Sequence, residues 1–93
     1  MEDIKYYQLV SSAVSFYDKK EIANYTETRN FKSEIKAINA YKDTVWNMQG
    51  IINNSIVVND NFSFTSSVIL YALVETKDNI SYFKVMRKQI FTL

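Results

Sequence analysis

The side chains that could carry acid–base or nucleophilic chemistry in this chain are carboxylates, lysines, tyrosines and serines. The sequence contains no histidine and no cysteine. It therefore lacks the commonest general base at neutral pH and the usual ligands of a structural zinc ion. A single glycine cannot build a phosphate-binding loop, which needs several. Three pairs of carboxylates lie close together in sequence: Glu2 with Asp3, Asp18 with Glu21, and Glu75 with Asp78.

These carboxylate pairs have an ordinary structural explanation. The first two lie at the ends of predicted helices and the third flanks a predicted turn, where capping and solvation favour acidic side chains. Serine and lysine are both frequent, so a serine–lysine pair carries no specific signal. We therefore expect no catalytic residue, no metal site, no cofactor and no small-molecule substrate.

The composition is that of one small folded domain spanning residues 1–93. Its hydrophobic fraction is 47%, its aromatic fraction is 15% and its formal net charge is +1. Such a balance lacks the basic excess of most non-specific nucleic-acid binders. The start is acidic, and the longest apolar run, 68–74, is far shorter than the about 20 residues of a membrane-spanning helix. We expect a cytoplasmic protein with no membrane contact.

Apolar spacing predicts helices in the first half of the chain. Residues at three-and-four spacing from Ile4 to Tyr17 predict a helix over 3–20, and a second stripe from Phe31 to Ile52 predicts a longer helix over 28–49. Gly50 is a plausible terminator of that second helix. A short extra helix at 19–25 is an alternative for the connection.

After Gly50 the apolar period changes to two, which predicts strands at 55–58, 62–75 and 80–92. Asparagine and aspartate clusters at 59–61 and 77–79 predict the turns between them. A two-residue loop at Asp78 and Asn79 would set the pairing of the last two strands. The pairs expected from this loop are Val74 with Phe83, Ala72 with Val85, and Leu70 with Arg87.

Together these elements predict an α+β fold. Two main helices pack on a three-stranded antiparallel meander in the order α-α-β-β-β, with the strand at 62–76 in the centre. The division lies at Gly50, between a helical part (1–50) and a sheet part (51–93).

One face of the predicted central strand is left without an explanation. The even positions from Phe62 to Val74 fit a core under the helices, whereas a second face should be polar. Instead this second face is apolar, and it extends to the neighbouring strand. Its residues are Ile69, Tyr71, Leu73, Met86 and Ile90. A protein partner or a second copy of the chain would cover it. The alternatives are a strongly coiled sheet, or the first helix packing on this face.

A second candidate surface is basic. The segment 19–38, KKEIANYTETRNFKSEIKAI, looks like the helix-turn-helix of DNA-binding proteins, and with the following hairpins it would resemble a winged helix. The resemblance implies that exposed residues of the second helix face DNA. These are Arg29, Asn30, Lys32, Ser33 and Lys36.

In the last strand, Lys84 and Lys88 are expected to share one face and Arg87 the other. All three either protect an edge strand or contact nucleic acid or an acidic partner.

The function that these patterns favour is a small non-enzymatic protein-interaction module. Its composition, with much Asn, Lys, Ile and Tyr, is similar to that of inhibitor and accessory proteins of phages and mobile elements. The alternative is a DNA-binding regulator of winged-helix type.

Overall fold

The computed structural model describes residues 3–54 and 61–92. Over these residues, four antiparallel strands form one sheet, and a helix packs on one of its faces. The strands lie side by side in the order β2-β1-β3-β4. The elements are β1 (Asp3–Tyr17), β2 (Lys20–Phe31), α1 (Glu34–Asn53), β3 (Phe62–Glu75) and β4 (Ser81–Thr92).

The predicted order α-α-β-β-β is wrong, because the segment predicted as the first helix forms a β-hairpin with the residues that follow. Asp18 and Lys19 make its two-residue turn, with φ angles of 51° and 66°. Positive φ at both central positions is the geometry of a type I′ hairpin turn. The short extra helix at 19–25 is likewise wrong. The chain remains α+β, but it is mostly sheet, and both halves of the sequence contribute strands.

The residues of β1 explain this outcome. Tyr7, Leu9 and Ser11 are buried, whereas Gln8 and Val10 between them are only partly buried, so the real period of the segment is two. β1 is also rich in aromatic and β-branched residues, which favour strands over helices.

The second predicted helix is confirmed in part. It begins at Glu34 rather than at residue 28, because 28–31 complete β2 and the Ser33 side chain caps the helix by accepting a hydrogen bond from the Lys36 backbone N–H. Gly50 does not end it. The helix continues to Asn53, and the Asn54 backbone N–H donates to the Gly50 carbonyl at 3.1 Å.

Two long strands, β1 and β3, occupy the centre of the sheet, with β2 and β4 at its edges. Three positions interrupt the regular register, each by one extra residue: Lys5 in β1, Ile22 in β2 and Met86 in β4. Such bulges matter because a one-residue shift moves the following side chains to the other face of the strand.

The pairing of β3 with β4 departs from the prediction between the connecting turn and the bulge at Met86, and agrees with it beyond the bulge. Leu70 lies opposite Arg87 as predicted, but Phe83 lies opposite Leu73, and Val85 opposite Tyr71. The two-residue loop is also wrong. The connection runs from Thr76 to Ile80, whose carbonyl accepts from the Thr76 N–H at 2.9 Å.

The core lies between α1 and one face of the sheet. The even positions of β3 from Ser66 to Val74 are buried there, as the sequence predicts. From the helix, Ala37 has no exposed surface, so its small side chain allows close approach to the sheet. The buried apolar residues are Tyr7, Leu9, Ala37, Tyr41, Val68, Leu70, Ala72, Val74 and Phe91. The predicted strand at 55–58 and the turn residues 59 and 60 lie outside the described residues.

Within the part of the chain that the structure describes, α1 does not combine the length and apolar character needed to cross a membrane.

Candidate functional site

The face of the sheet opposite α1, here called the open face, carries the odd positions of β3. Ile69, Tyr71 and Leu73 lie there and are only partly buried, in contrast to their neighbours Leu70 and Ala72 beneath the helix. Among the described residues, the apolar side chains that pack against the buried cluster come from α1 and the α1 side of the sheet. The open face therefore has no covering layer from the described chain.

The register places further apolar residues beside these three. Tyr6 lies opposite Leu73 on the β1 side, and Phe83 lies opposite it on the β4 side. Because residues directly opposite each other share a face, they extend one surface across three strands. This surface, here called the apolar patch, consists of Tyr6, Val10, Ile69, Tyr71, Leu73, Phe83, Val85 and Ile90.

The most accessible part of the apolar patch lies on β4. Phe83, Val85 and Ile90 are 48%, 53% and 51% exposed. The rings of Tyr71 and Phe83 meet edge to face with centroids 5.7 Å apart, which confirms that the two residues share the open face. Aromatic residues held in this way offer large contact area with little rotamer freedom to lose on binding.

A polar border lies along the β2 side of the open face. Asn24, Thr26, Thr28 and Asn30 follow one another there, and the Gln8 side chain donates to Asn30 Oδ1 at 3.3 Å. Further along, the hydroxyls of Ser12 and Ser67 are hydrogen-bonded at 2.8 Å. An apolar centre with a polar border is the usual anatomy of a protein–protein interface.

Four of the five predicted partner-binding residues are brought together on this face: Ile69, Tyr71, Leu73 and Ile90. Met86 is the exception, because it is the extra residue of the β4 bulge and packs against the buried cluster.

Four residues of the apolar patch do not follow from the sequence reasoning. Tyr6 and Val10 are missed because β1 is predicted as a helix. Phe83 and Val85 are missed because the longer connection shifts their register by one residue, up to the bulge at Met86, and so reverses their predicted face. The signal that could have found the β1 pair is the content of aromatic and β-branched residues in β1, because apolar residues occur on both faces of the segment 6–11.

The helix-turn-helix interpretation of 19–38 is wrong, because Lys20–Phe31 is a strand. Its proposed DNA-facing residues do not share a surface. Arg29 lies on the α1 side, where its guanidinium donates to Thr44 Oγ1 at 3.3 Å, whereas Asn30 lies on the open face. Ser33 caps α1, beside the exposed Lys36 of the first helical turn, and Lys32 precedes it.

The basic cluster of β4 is also divided differently from the prediction. Lys84 and Arg87 lie opposite Ala72 and Leu70, on the α1 side, whereas Lys88 lies opposite Ile69 on the open face. Of these three residues, only Lys88 lies beside the apolar patch, and the three do not form one basic surface.

The titratable groups of the core are tyrosines. Burial raises the pKa of Tyr7 above its usual 10.0, and the nearby Glu34 carboxylate, which accepts a hydrogen bond from the Tyr7 hydroxyl at 3.5 Å, raises it further. Burial also raises the pKa of Tyr41, although the positive charge of Arg87 opposes this shift. Both phenols are therefore neutral at neutral pH and contribute packing and hydrogen bonding.

The described residues contain no group of three or more acidic side chains placed to hold a metal ion. Of the predicted carboxylate pairs, Glu75 forms an ion pair with Lys5 at 3.5 Å, and Glu21 accepts from the Asn24 side chain at 3.3 Å. What the open face offers chemically is apolar contact with a polar border, neutral along β2 and charged at Lys88 and at the Lys5–Glu75 ion pair.

Comparison of the chain with known protein families, curated proteins and solved structures found no match.

Proposed function

We propose that this chain is a protein-binding module that acts by binding rather than by catalysis, with its partner packed on the open face. The observation that carries the proposal is the apolar patch, which spans three strands of a face with no covering layer from the described residues. Contiguous apolar surface of this kind marks an interaction site more often than chance exposure does. The proposed setting is the cytoplasm.

The dimensions of the molecule suit this role. Its principal extents are 53 × 24 × 15 Å, so the molecule is broad and flat, with the sheet as one layer and α1 as the other. A standard protein interface takes about 800 Å² from each partner. The open face, with the polar border included, is large enough to supply that area.

The chemistry of the open face indicates the kind of partner. The apolar patch has aromatic residues at Tyr6, Tyr71 and Phe83, with Lys88 beside it on β4 and the Lys5–Glu75 ion pair at its end. A partner with an apolar, weakly charged surface, such as one face of an amphipathic helix, would complete a third layer. Lys88, with Lys5 already paired to Glu75, supplies too little charge for a phosphate-binding surface, because nucleic-acid binding depends on several such contacts.

Photo-crosslinking in the native cell tests the proposal. A photoreactive phenylalanine analogue replaces Val85 in the apolar patch, and as a matched control replaces Ile35, an α1 residue that is 63% exposed. We expect a protein adduct at position 85 that is absent at position 35.

The protein found in the adduct is then purified, and its binding to variants of this chain is measured. Phe83→Asp should weaken its binding at least about tenfold, and Ile35→Asp should not, because only the first buries a charge in the interface. Unchanged binding by Phe83→Asp would rule out the open face as the docking site. If the adduct is instead nucleic acid, with an affinity that falls steeply as salt increases, the proposal of a protein partner is wrong.

A further inference from the structure

A second interaction surface lies at the edge of the sheet. β2 and β4 are the edge strands, and each presents a row of backbone N–H and C=O groups that pairs with no described strand. Natural proteins usually protect such edges, because an unprotected edge pairs readily with another strand. The two edges of this sheet differ in that protection.

β4 carries two protective features. The bulge at Met86 interrupts the regular register near its middle. The strand also contains three basic residues, Lys84, Arg87 and Lys88, and no acidic one. Pairing β4 with a second β4 would therefore bring like charges together across an irregular edge.

β2 lacks both features. Its irregularity, at Ile22, lies close to the hairpin turn, and the register from Ala23 to Phe31 is continuous. Its charges are balanced, with Lys20 and Arg29 against Glu21 and Glu27. The strand therefore offers a regular, uncrowded and neutral edge of nine residues from Ala23 to Phe31.

The sequence of β2 is chemically symmetric about Thr28. Moving outward from Thr28 in both directions, the residues that correspond are Glu27 with Arg29, Thr26 with Asn30, and Tyr25 with Phe31. In two antiparallel strands related by a two-fold axis at Thr28, each residue lies opposite its counterpart on the other copy. Opposite charges then face each other, polar residues face polar residues, and aromatic residues face aromatic residues.

The structure places these side chains on the faces that this pairing needs. Arg29 lies on the α1 side with its Nε 3.4 Å from Glu27 Oε1, and both side chains are about half exposed, at 47% and 48%. The Arg29 guanidinium also lies 5.6 Å from the centre of the Phe31 ring. Thr28 and Asn30 point to the open face.

The helix leaves room for a second copy. α1 packs mainly over β1 and β3, and it reaches β2 at Arg29, whose guanidinium donates to Thr44 Oγ1. A groove lined by Tyr25, Glu27, Arg29, Thr44 and Met48 lies between α1 and the outer part of β2. A two-fold axis perpendicular to the sheet would keep both helices on one side, with the two grooves joined between them.

We propose that two copies of this chain associate by antiparallel pairing of β2 with β2, centred on Thr28. The product is a continuous eight-stranded sheet with both helices on one side and both open faces on the other. This pairing uses the edge of the sheet, and so it stands independently of the proposed function of the open face.

Charge reversal tests the pairing, with the mass in solution measured by sedimentation equilibrium. We expect a dimer, weakened at least about tenfold by Arg29→Glu or by Glu27→Arg, because each places two like-charge pairs at the interface. The double variant, with both residues exchanged, restores opposite charges across the axis and should recover the dimer. Lys84→Glu on β4 and Phe83→Asp on the open face should leave it unchanged.

Cysteine crosslinking tests the register of the pairing. Because the chain has no natural cysteine, any disulfide must join the introduced residues. Thr28→Cys should form an intermolecular disulfide readily on mild oxidation, since it faces itself across the axis. Thr26→Cys is the matched control. Its two copies lie about 13 Å apart along the strands, beyond the reach of a disulfide, but it should crosslink to Asn30→Cys when the two variants are mixed.

Three results would overturn the proposal: a monomer at all concentrations, a dimer that tolerates Arg29→Glu, or equal crosslinking of Thr26→Cys and Thr28→Cys. A dimer lost in Phe83→Asp but kept in Arg29→Glu would place self-association on the open face instead.

Discussion

Neighbouring residues of β3 experience different surroundings although their chemistry is similar. Leu70 has no exposed surface and lies under α1, whereas Leu73 lies on the open face and is partly exposed. The cost of removing a leucine side chain depends on how much packing is lost and on how large a cavity remains. The stability lost when each leucine is truncated therefore shows which face of the sheet is covered.

We expect Leu70→Ala to lower the free energy of unfolding by about 2–5 kcal/mol, and Leu73→Ala by roughly 1 kcal/mol. Urea unfolding followed by circular dichroism measures both values. Equal, large losses would contradict the assignment of an open face, because they would show that Leu73 is as well packed as Leu70 in the isolated protein.

At the scale of the elements, the β1–β2 hairpin depends on a turn whose residues are unusual for it. Asp18 and Lys19 adopt left-handed φ angles of 51° and 66°. Aspartate tolerates this conformation, but lysine does so at a cost, and glycine is the preferred second residue of a type I′ turn. The Asp18 backbone N–H also donates to the Asn61 carbonyl at 3.0 Å, which ties the turn to the start of β3.

Lys19→Gly should therefore stabilise the protein by up to about 1 kcal/mol, because it relieves the strain of positive φ. Lys20→Gly, one residue later and in extended conformation, is the control and should destabilise it. Thermal unfolding of the two variants distinguishes the hairpin from the helix that the sequence predicts. In the predicted helix over 3–20, Lys19 would belong to the last turn, and glycine there would be destabilising rather than stabilising.

That hairpin also shows why part of the fold could not be predicted. Apolar residues from Ile4 to Tyr17 satisfy helical spacing and alternation at once, and the turn contains no glycine to mark it. By contrast, the main part of α1 and the two faces of β3 were predictable, because each shows one clear period. The candidate site was therefore predictable on β3 but not on β1. On β4 the longer connection and the compensating bulge at Met86 together place Phe83 and Val85 on the open face.

For the whole molecule, the two-layer arrangement limits how much surface a single copy buries. The described residues form one helix over a four-stranded sheet. A chain of 93 residues with this arrangement buries a modest part of its apolar surface. Most of β2 and β4 is exposed. Association that occurs only in the folded state adds stability by mass action. If β2 pairs with β2, folding and dimer formation are coupled, and the open faces of two copies are presented together on one side.

The urea midpoint should therefore rise with protein concentration in the wild-type chain. In Arg29→Glu it should be nearly constant, because a monomer unfolds without a change in molecularity. The doubly charge-exchanged variant is the control and should regain the concentration dependence, since it restores opposite charges across the two-fold axis. Unfolding curves recorded over a hundredfold range of concentration give the comparison. If the urea midpoint of Arg29→Glu still rises with protein concentration, the stabilising contact lies elsewhere on the molecule. The Phe83→Asp variant would then test whether that contact lies on the open face.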